Sequence, residues 1–336
     1  MKFAALGRTH LLFESIKLCL REGHQAVLIG TAEASPEYTV TASDFQHLAS
    51  EVGCPFFLAS GLLSAHQRRL LKESGAEIVI SINWPTLLPT AVLNLPRYGV
   101  LNAHAGDLPR FRGNACPNWA ILAGERQIVL TVHRMIRELD AGPILLQKAI
   151  PLSTETRIGD VYAALSEIVP QAFLDALNGI ADGSVREHPQ SEHLADSLRC
   201  FPRLPVDGEI DWKQPAEYIH RLVRASSEPF AGAYTYLGEE RVIVWKAHVE
   251  QLPYPFLGVP GQIIERRAQT GAALVLTGDG VLALEEIESP PGSGRISPTT
   301  LLISTRLRLG LDVASVISDL RARIVTLEHA ITRLSN

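Results

Sequence analysis

The chain has 336 residues, 46% hydrophobic and 20% charged, which suits two modest domains with buried cores and excludes extended disorder. A formal net charge of -5 gives no electrostatic case for nucleic acid as the main partner. No apolar run approaches the ~18 residues of a membrane span, and Gly7 and Arg8 break the run that a signal peptide needs. The four cysteines, Cys19, Cys54, Cys116 and Cys200, share no metal-ligand spacing, as expected of reduced thiols in a cytoplasm.

In chain order, the apolar run 2–6 reads as a strand and residues 10–22 as a helix, with Leu12, Ile16, Cys19 and Leu20 on one face. A second strand, 26–29, ends at Gly30. A helix runs from Asp44 to Val52, capped by Ser43 or Thr41, and another over 65–75. Residues 78–82 (IVISI) read as a buried strand, and 99–101 as a strand leading into Asn102. This rhythm predicts a mostly parallel sheet covered by helices, with ligands beyond the carboxyl ends of its strands. Asn102, His104 and the loop WPTLLP (84–89) lie just beyond two such ends.

Residues 128–136 and 143–150 read as two further strands around the turn LDAG (139–142). A helical pattern over 158–180 is broken by Pro170. A Gly-, Ser- and Pro-containing linker over 184–206 divides a first domain, 1–183, from a second, 207–310. The second opens with a helix near 214–226. Short strands at 232–237, 241–249, 260–266, 272–277 and 280–287 then predict a small barrel. The segment 311–336 reads as an amphipathic helix with Asp312 as cap. Ile317, Ile324 and Ile331 alternate with Leu320, Leu327 and Leu334 in the pattern that favours parallel two-stranded coils, so a homodimer is expected. One helix packed on its own domain is the alternative.

The segment LNAHAGDLPRFRGNACPNWAIL (101–122) and LDAGPI (139–144) carry the chemistry. Asn102 and His104 are two apart and face the same side of an extended strand. An amide, an imidazole and a carboxylate can divide the work of acyl transfer to an amine: oxyanion stabilisation, amine deprotonation and leaving-group protonation. Spacing alone does not bring Asp140 to the other two.

Asn102-x-His104, then Leu108-Pro109 to Gly113, then Asp140-Ala141-Gly142, resembles the signature of the 10-formyltetrahydrofolate-dependent formyltransferases. That family includes methionyl-tRNA formyltransferase, glycinamide ribonucleotide transformylase and the sugar-nucleotide N-formyltransferases. The stretches 210–225, 231–237 and 277–287 resemble the C-terminal domain of the methionyl-tRNA enzyme. The resemblance implies a Rossmann-like formyltransferase fold followed by an OB-like barrel. It implies 10-formyltetrahydrofolate as formyl donor and no metal. It makes His104 the base, Asn102 the oxyanion donor and Asp140 the group that orients His104 or a water. The donor would lie against Trp84, Leu87, Leu88, Pro89, Leu139 and Asp140.

Two departures bear on the acceptor. Where the tRNA enzymes carry a basic, glycine-rich stretch, residues 31–45 hold no lysine or arginine, which removes an expected tRNA contact. The segment 112–122 looks more like the sugar enzymes. The expected acceptor is therefore a nucleotide-linked amino sugar, of the kind used in lipopolysaccharide O-antigen synthesis. Methionyl-tRNA, a hydroxyornithine, or hydrolysis of the donor by water are the alternatives. Candidate acceptor contacts are Asp107, Arg110, Arg112, Asn114, His10 and Arg203, several of which read equally well as solvated surface residues. His133 is balanced between packing and acceptor binding. Cys116 has no adjacent base in the sequence to mark it as a nucleophile.

Overall fold

The computed structural model describes residues 1–34 and 38–334; residues 35–37, within the stretch compared above with the tRNA enzymes, and 335–336, at the end of the expected helix, lie outside it. The chain divides into two compact units, Met1–Arg203 and Leu204–Asn336.

The first unit is built on β1 (Lys2–Gly7), α1 (His10–Arg21), β2 (Gln25–Ala32), α2 (Ala42–Val52), β3 (Phe56–Ala59), α3 (Ala65–Glu73), β4 (Ile78–Ile82), a short α4 (Thr90–Leu93), β5 (Val100–His104), β6 (Arg112–Gly113), α5 (Cys116–Ala123), β7 (Gln127–Arg134), β8 (Ile144–Pro151), α6 (Ile158–Asp182) and β9 (Arg199–Cys200). Its main sheet has the order β3-β2-β1-β4-β5-β7-β8. The pairs from β3 to β5 are parallel, while β5–β7 and β7–β8 are antiparallel. Strand order reverses between β1 and β4, the place where a parallel sheet opens a crevice at its carboxyl edge.

The central strands β1 and β4 are apolar for most of their length because both faces are covered: Phe3 to Leu6 and Ile78 to Ile80 are fully buried. The edge strand β3 was not anticipated, and its four residues alternate, with Leu58 exposed. Thr41 caps α2 in a reciprocal arrangement, its backbone N–H donating to Asp44 Oδ2 at 2.7 Å.

Three expectations are corrected here. Asn102 and His104 lie within β5, not beyond its end. The helix α6 runs unbroken through Pro170 to Asp182. Burial of Pro170, Phe173, Leu174 and Leu177 against the unit's core outweighs the one backbone hydrogen bond that a proline forfeits. The stretch expected as an irregular linker carries β9, which pairs in parallel with β6.

The second unit contains α7 (Ala216–Ser226), β10 (Ala233–Leu237), β11 (Glu240–Glu250), β12 (Ile263–Arg266), β13 (Ala273–Leu276), β14 (Val281–Glu288), β15 (Arg295–Ile296), α8 (Pro298–Leu301) and α9 (Val313–Leu334). Its antiparallel sheet runs β10-β11-β14-β13-β12, with β15 on β14. The segment 307–310 bridges both edges: Leu309 bridges Leu237 at the end of β10, and Arg308 bridges Gln262 next to β12. The small barrel read from the sequence is closed by this irregular segment.

Candidate active site

The carboxyl ends of β4 and β5 open onto a cleft of about 470 Å³. Asn102 and His104 alternate on β5 and so share the face turned to that cleft. The antiparallel register sets His133 of β7 opposite Asn102, and Thr131 opposite His104. The loop after β7 then folds back to bring Asp140 over both imidazoles. That return depends on Gly142, where a Cβ would overlap the backbone carbonyl of Arg134. Gly106 is similarly enclosed by Phe111 O and the His104 ring.

Asp140 sits between two histidines. Its Oδ2 is 3.7 Å from His104 Nδ1, its Oδ1 is 3.6 Å from His133 Nε2, and the backbone N–H of Gly113 donates to Oδ2 at 2.9 Å. His104 Nε2 donates to the carbonyl of Phe111 at 2.7 Å, which leaves Nδ1 facing the carboxylate. His133 Nδ1 donates to the carbonyl of Arg134 at 3.1 Å, so its Nε2 accepts from Asn102 Nδ2 at 3.2 Å. This fixes the Asn102 amide and leaves its second N–H available to the cleft.

The electrostatics separate the two titrating partners. Burial pushes His104 below the usual imidazole value of 6.5, opposed by the Asp140 charge. Burial alone would raise Asp140. The adjoining His133, the attraction of both imidazoles when they carry a proton and the Gly113 N–H outweigh it and hold the carboxyl at about 2. A neutral imidazole beside an ionised carboxylate is a poised base: the cation formed on taking a proton is stabilised where it appears.

Backbone conformation is concentrated here too. The non-glycine residues with positive φ among those described are Asn83 (54°), Phe111 (54°), Ala115 (52°) and Asp140 (50°). Three line the cleft and Phe111 holds His104. Strained conformations gather at functional sites where surrounding contacts impose them.

Of the residues expected on the donor side, Trp84, Leu87, Leu139 and Asp140 line the cleft. Trp84 is anchored by an Nε1 hydrogen bond to Gly61 O at 3.0 Å, and Leu87 is 60% exposed. Leu88 turns into the core instead, and Pro89 is the N-cap before α4. Among the expected acceptor contacts, Asn114 lines the cleft. Asp107 is half-buried in the loop after β5. Arg110 pairs with Glu125 at 2.6 Å, Arg112 binds Gln190 Oε1 at 2.7 Å, and Arg203 lies over the Trp119 ring at 5.6 Å. His10 bonds to Ser166 Oγ at 2.7 Å on α6 and is not part of the cleft wall.

Sequence reasoning passed over Arg199, which lines the cleft from β9. It also left His133 undecided, because the register that sets it opposite Asn102 on the adjoining strand cannot be read from spacing. Cys116 Sγ lies 3.6 Å from His104 Nε2 and donates to Phe111 O at 2.9 Å. The neighbouring Cys200 thiol and burial push the Cys116 thiol up, so it is held protonated and packs against the histidine.

Residues 1–177 match the family described as formyl transferase, and residues 205–303 match the formyl transferase C-terminal domain. Similar solved structures include HypX from Aquifex aeolicus, with a TM-score of 0.57 and 21% identity over 90% of this chain and 47% of that one. This chain thus spans about half the length of HypX. The sugar 3N-formyl transferase WlaRD, in the presence of dTDP and 5-N-formyl-THF, aligns with a TM-score of 0.61 and 15% identity over 86% of this chain and 98% of that one. An N-formyltransferase from Helicobacter canadensis, in complex with folinic acid and dTDP-3-aminofucose, gives 0.62 and 14% over 85% and 99%.

Proposed function

The chain belongs to the formyl transferase family, and from that premise we propose that it transfers the formyl group of 10-formyltetrahydrofolate to the amine of a nucleotide-linked amino sugar. The observation that carries this reading is the convergence of Asn102, His104 and Asp140 in one cleft, although Asp140 comes from a different loop. His104 Nδ1 takes the proton that the attacking amine loses, and Asp140 stabilises the resulting imidazolium. Asn102, held by His133, donates its second amide N–H to the formyl oxygen as charge develops there. His104 then returns the proton to the departing nitrogen.

The exposed apolar shelf of Leu87, with Trp84 and Leu139, suits a flat heteroaromatic donor. Arg199, the arginine lining the same cleft, suits an acceptor with a phosphate. The lack of lysine and arginine over 31–45 favours a small acceptor over tRNA. The two sugar enzymes above carry the same fold over nearly their full lengths. In this reading residues 1–183 form the catalytic domain, 184–206 join it to the barrel domain 207–310, and 311–336 form the pairing helix of a homodimer. The four cysteines are free thiols, in keeping with a cytoplasmic enzyme.

The test is incubation with 10-formyltetrahydrofolate and a panel of amines: nucleotide-linked amino sugars, free amino sugars, hydroxyornithine and methionyl-tRNA. Tetrahydrofolate release and formyl mass gain are both followed. Release dependent on one amino-sugar nucleotide, with its KM raised in Arg199→Ala, is expected. Release without any acceptor would make the enzyme a hydrolase, and formylation of tRNA alone would overturn the acceptor assignment.

A further inference from the structure

The 22-residue α9 carries an exposed apolar seam. In heptad terms its a positions are Ile317, Ile324 and Ile331, 44%, 54% and 63% exposed. Its d positions are Val313, Leu320, Leu327 and Leu334, exposed by 56%, 46%, 62% and 88%. At ~1.5 Å per residue this is a seam ~30 Å long, far larger than scattered surface hydrophobes require.

The sequence of the seam specifies what covers it. Every described a position is isoleucine and three of the four d positions are leucine, so the seam complements a copy of itself. β-Branched residues at a with leucine at d favour two parallel strands. The flanking charges then distinguish the possible orientations. In a parallel, in-register pair each g residue faces the e residue five positions further along the other helix. Arg323, at g, would meet Glu328, at e, and symmetry makes two such pairs. In an antiparallel pair e faces e, and the partner of Glu328 would be Arg321 instead. Arg323 and Glu328 are both exposed and form no ion pair within the chain among the described residues.

We propose that α9 joins the α9 of a second copy of this chain in a parallel, in-register two-stranded coiled coil, with Arg323 of each subunit paired to Glu328 of the partner subunit. This rests on the homodimer reading and deepens it by assigning the interface, its direction and its register.

The test uses the full chain in a Cys54→Ser background, since the other cysteines are buried. Val313→Cys and Leu334→Cys, at opposite ends of the seam, are each oxidised mildly and run on non-reducing gels. Each should cross-link to itself, and a mixture of the two, distinguished by tag size, should give no mixed product. Sedimentation equilibrium should show Arg323→Glu weakening self-association roughly tenfold, and mixing it with Glu328→Arg should restore dimers, while Arg321→Glu leaves the dimer unchanged. Circular dichroism of each variant checks that the helix and the rest of the fold persist.

Mixed cross-links, or sensitivity to Arg321→Glu in place of Arg323→Glu, would overturn the parallel arrangement. A dimer that forms without either cross-link and ignores all three charge changes would place the interface elsewhere and leave the homodimer reading standing. A monomer at all concentrations would remove both.

Discussion

Replacing Asp140 by asparagine isolates the carboxylate charge from everything else that residue does. Asparagine has the same shape, tolerates the left-handed φ of 50°, and offers a carbonyl oxygen to the Gly113 N–H. What disappears is the negative charge 3.7 Å from His104 Nδ1. The carboxyl's descent from 3.8 to about 2 corresponds to ~2.5 kcal/mol of interaction with its surroundings. Coulomb attraction at that separation is ~4.5 kcal/mol at an effective dielectric of ~20. The imidazolium formed in the transition state therefore loses ~2–4 kcal/mol, and kcat should fall ~30- to ~1000-fold. A second readout has a fixed sign. The Asp140 charge raises His104, so its removal shifts the acid limb of kcat/KM to lower pH. Both are measured by formyl transfer across a pH series, with circular dichroism as the check on folding. A kcat within about threefold of the unmodified enzyme, or an acid limb that moves upward, would refute the coupling of Asp140 to His104.

In the proposed mechanism neutral His104 is the base, so the rate of the unmodified enzyme should rise with pH as it deprotonates. Burial places that rise below the ordinary imidazole value of 6.5, and Asp140, ionised down to about 2, adds no limb near neutrality; a midpoint above 6.5 would contradict the buried neutral histidine. Gly142→Ala forces the loop off the Arg134 carbonyl and misplaces Asp140, with an expected loss of ~100-fold in kcat and a smaller change in thermal stability. Cys116→Ala should keep kcat within roughly threefold, because a protonated thiol packed beside His104 is no nucleophile; a loss as large as that of His104→Ala would assign the thiol a part in the reaction.

Much of this site was legible because it follows from period and order. Two residues of spacing place Asn102 and His104 on one face of a strand, and a β-branched run such as 78–82 has no other comfortable place than a buried strand. The arrival of Asp140 was not legible from spacing, since it depends on the register of β7 against β5 and on a glycine tucked under a carbonyl. The same register explains His133, whose neighbours are set by pairing across the sheet. Pro170 misled the reading because local propensity weighs one hydrogen bond, while a helix of 25 residues is decided by the core it covers. Arg199 was invisible because it lies in a stretch of mixed composition whose only regular structure, β9, is two residues long.

The four residues with left-handed backbone around the cleft have a consequence for engineering. Asn83 and Asp140 sit in a region that Asn and Asp tolerate, whereas Phe111 and Ala115 hold it at a cost of order 1 kcal/mol. Glycine at Ala115 would relieve that cost, and the same change would restore chain freedom to the loop that positions Asn114 and Cys116. The relieved strain and the added freedom of the unfolded chain are of similar size and opposite sign, so glycine there loosens the loop without a clear gain in stability. Ala115→Gly is therefore expected to leave the melting temperature nearly unchanged and to slow turnover, so rigidity at this loop serves the reaction more than the fold.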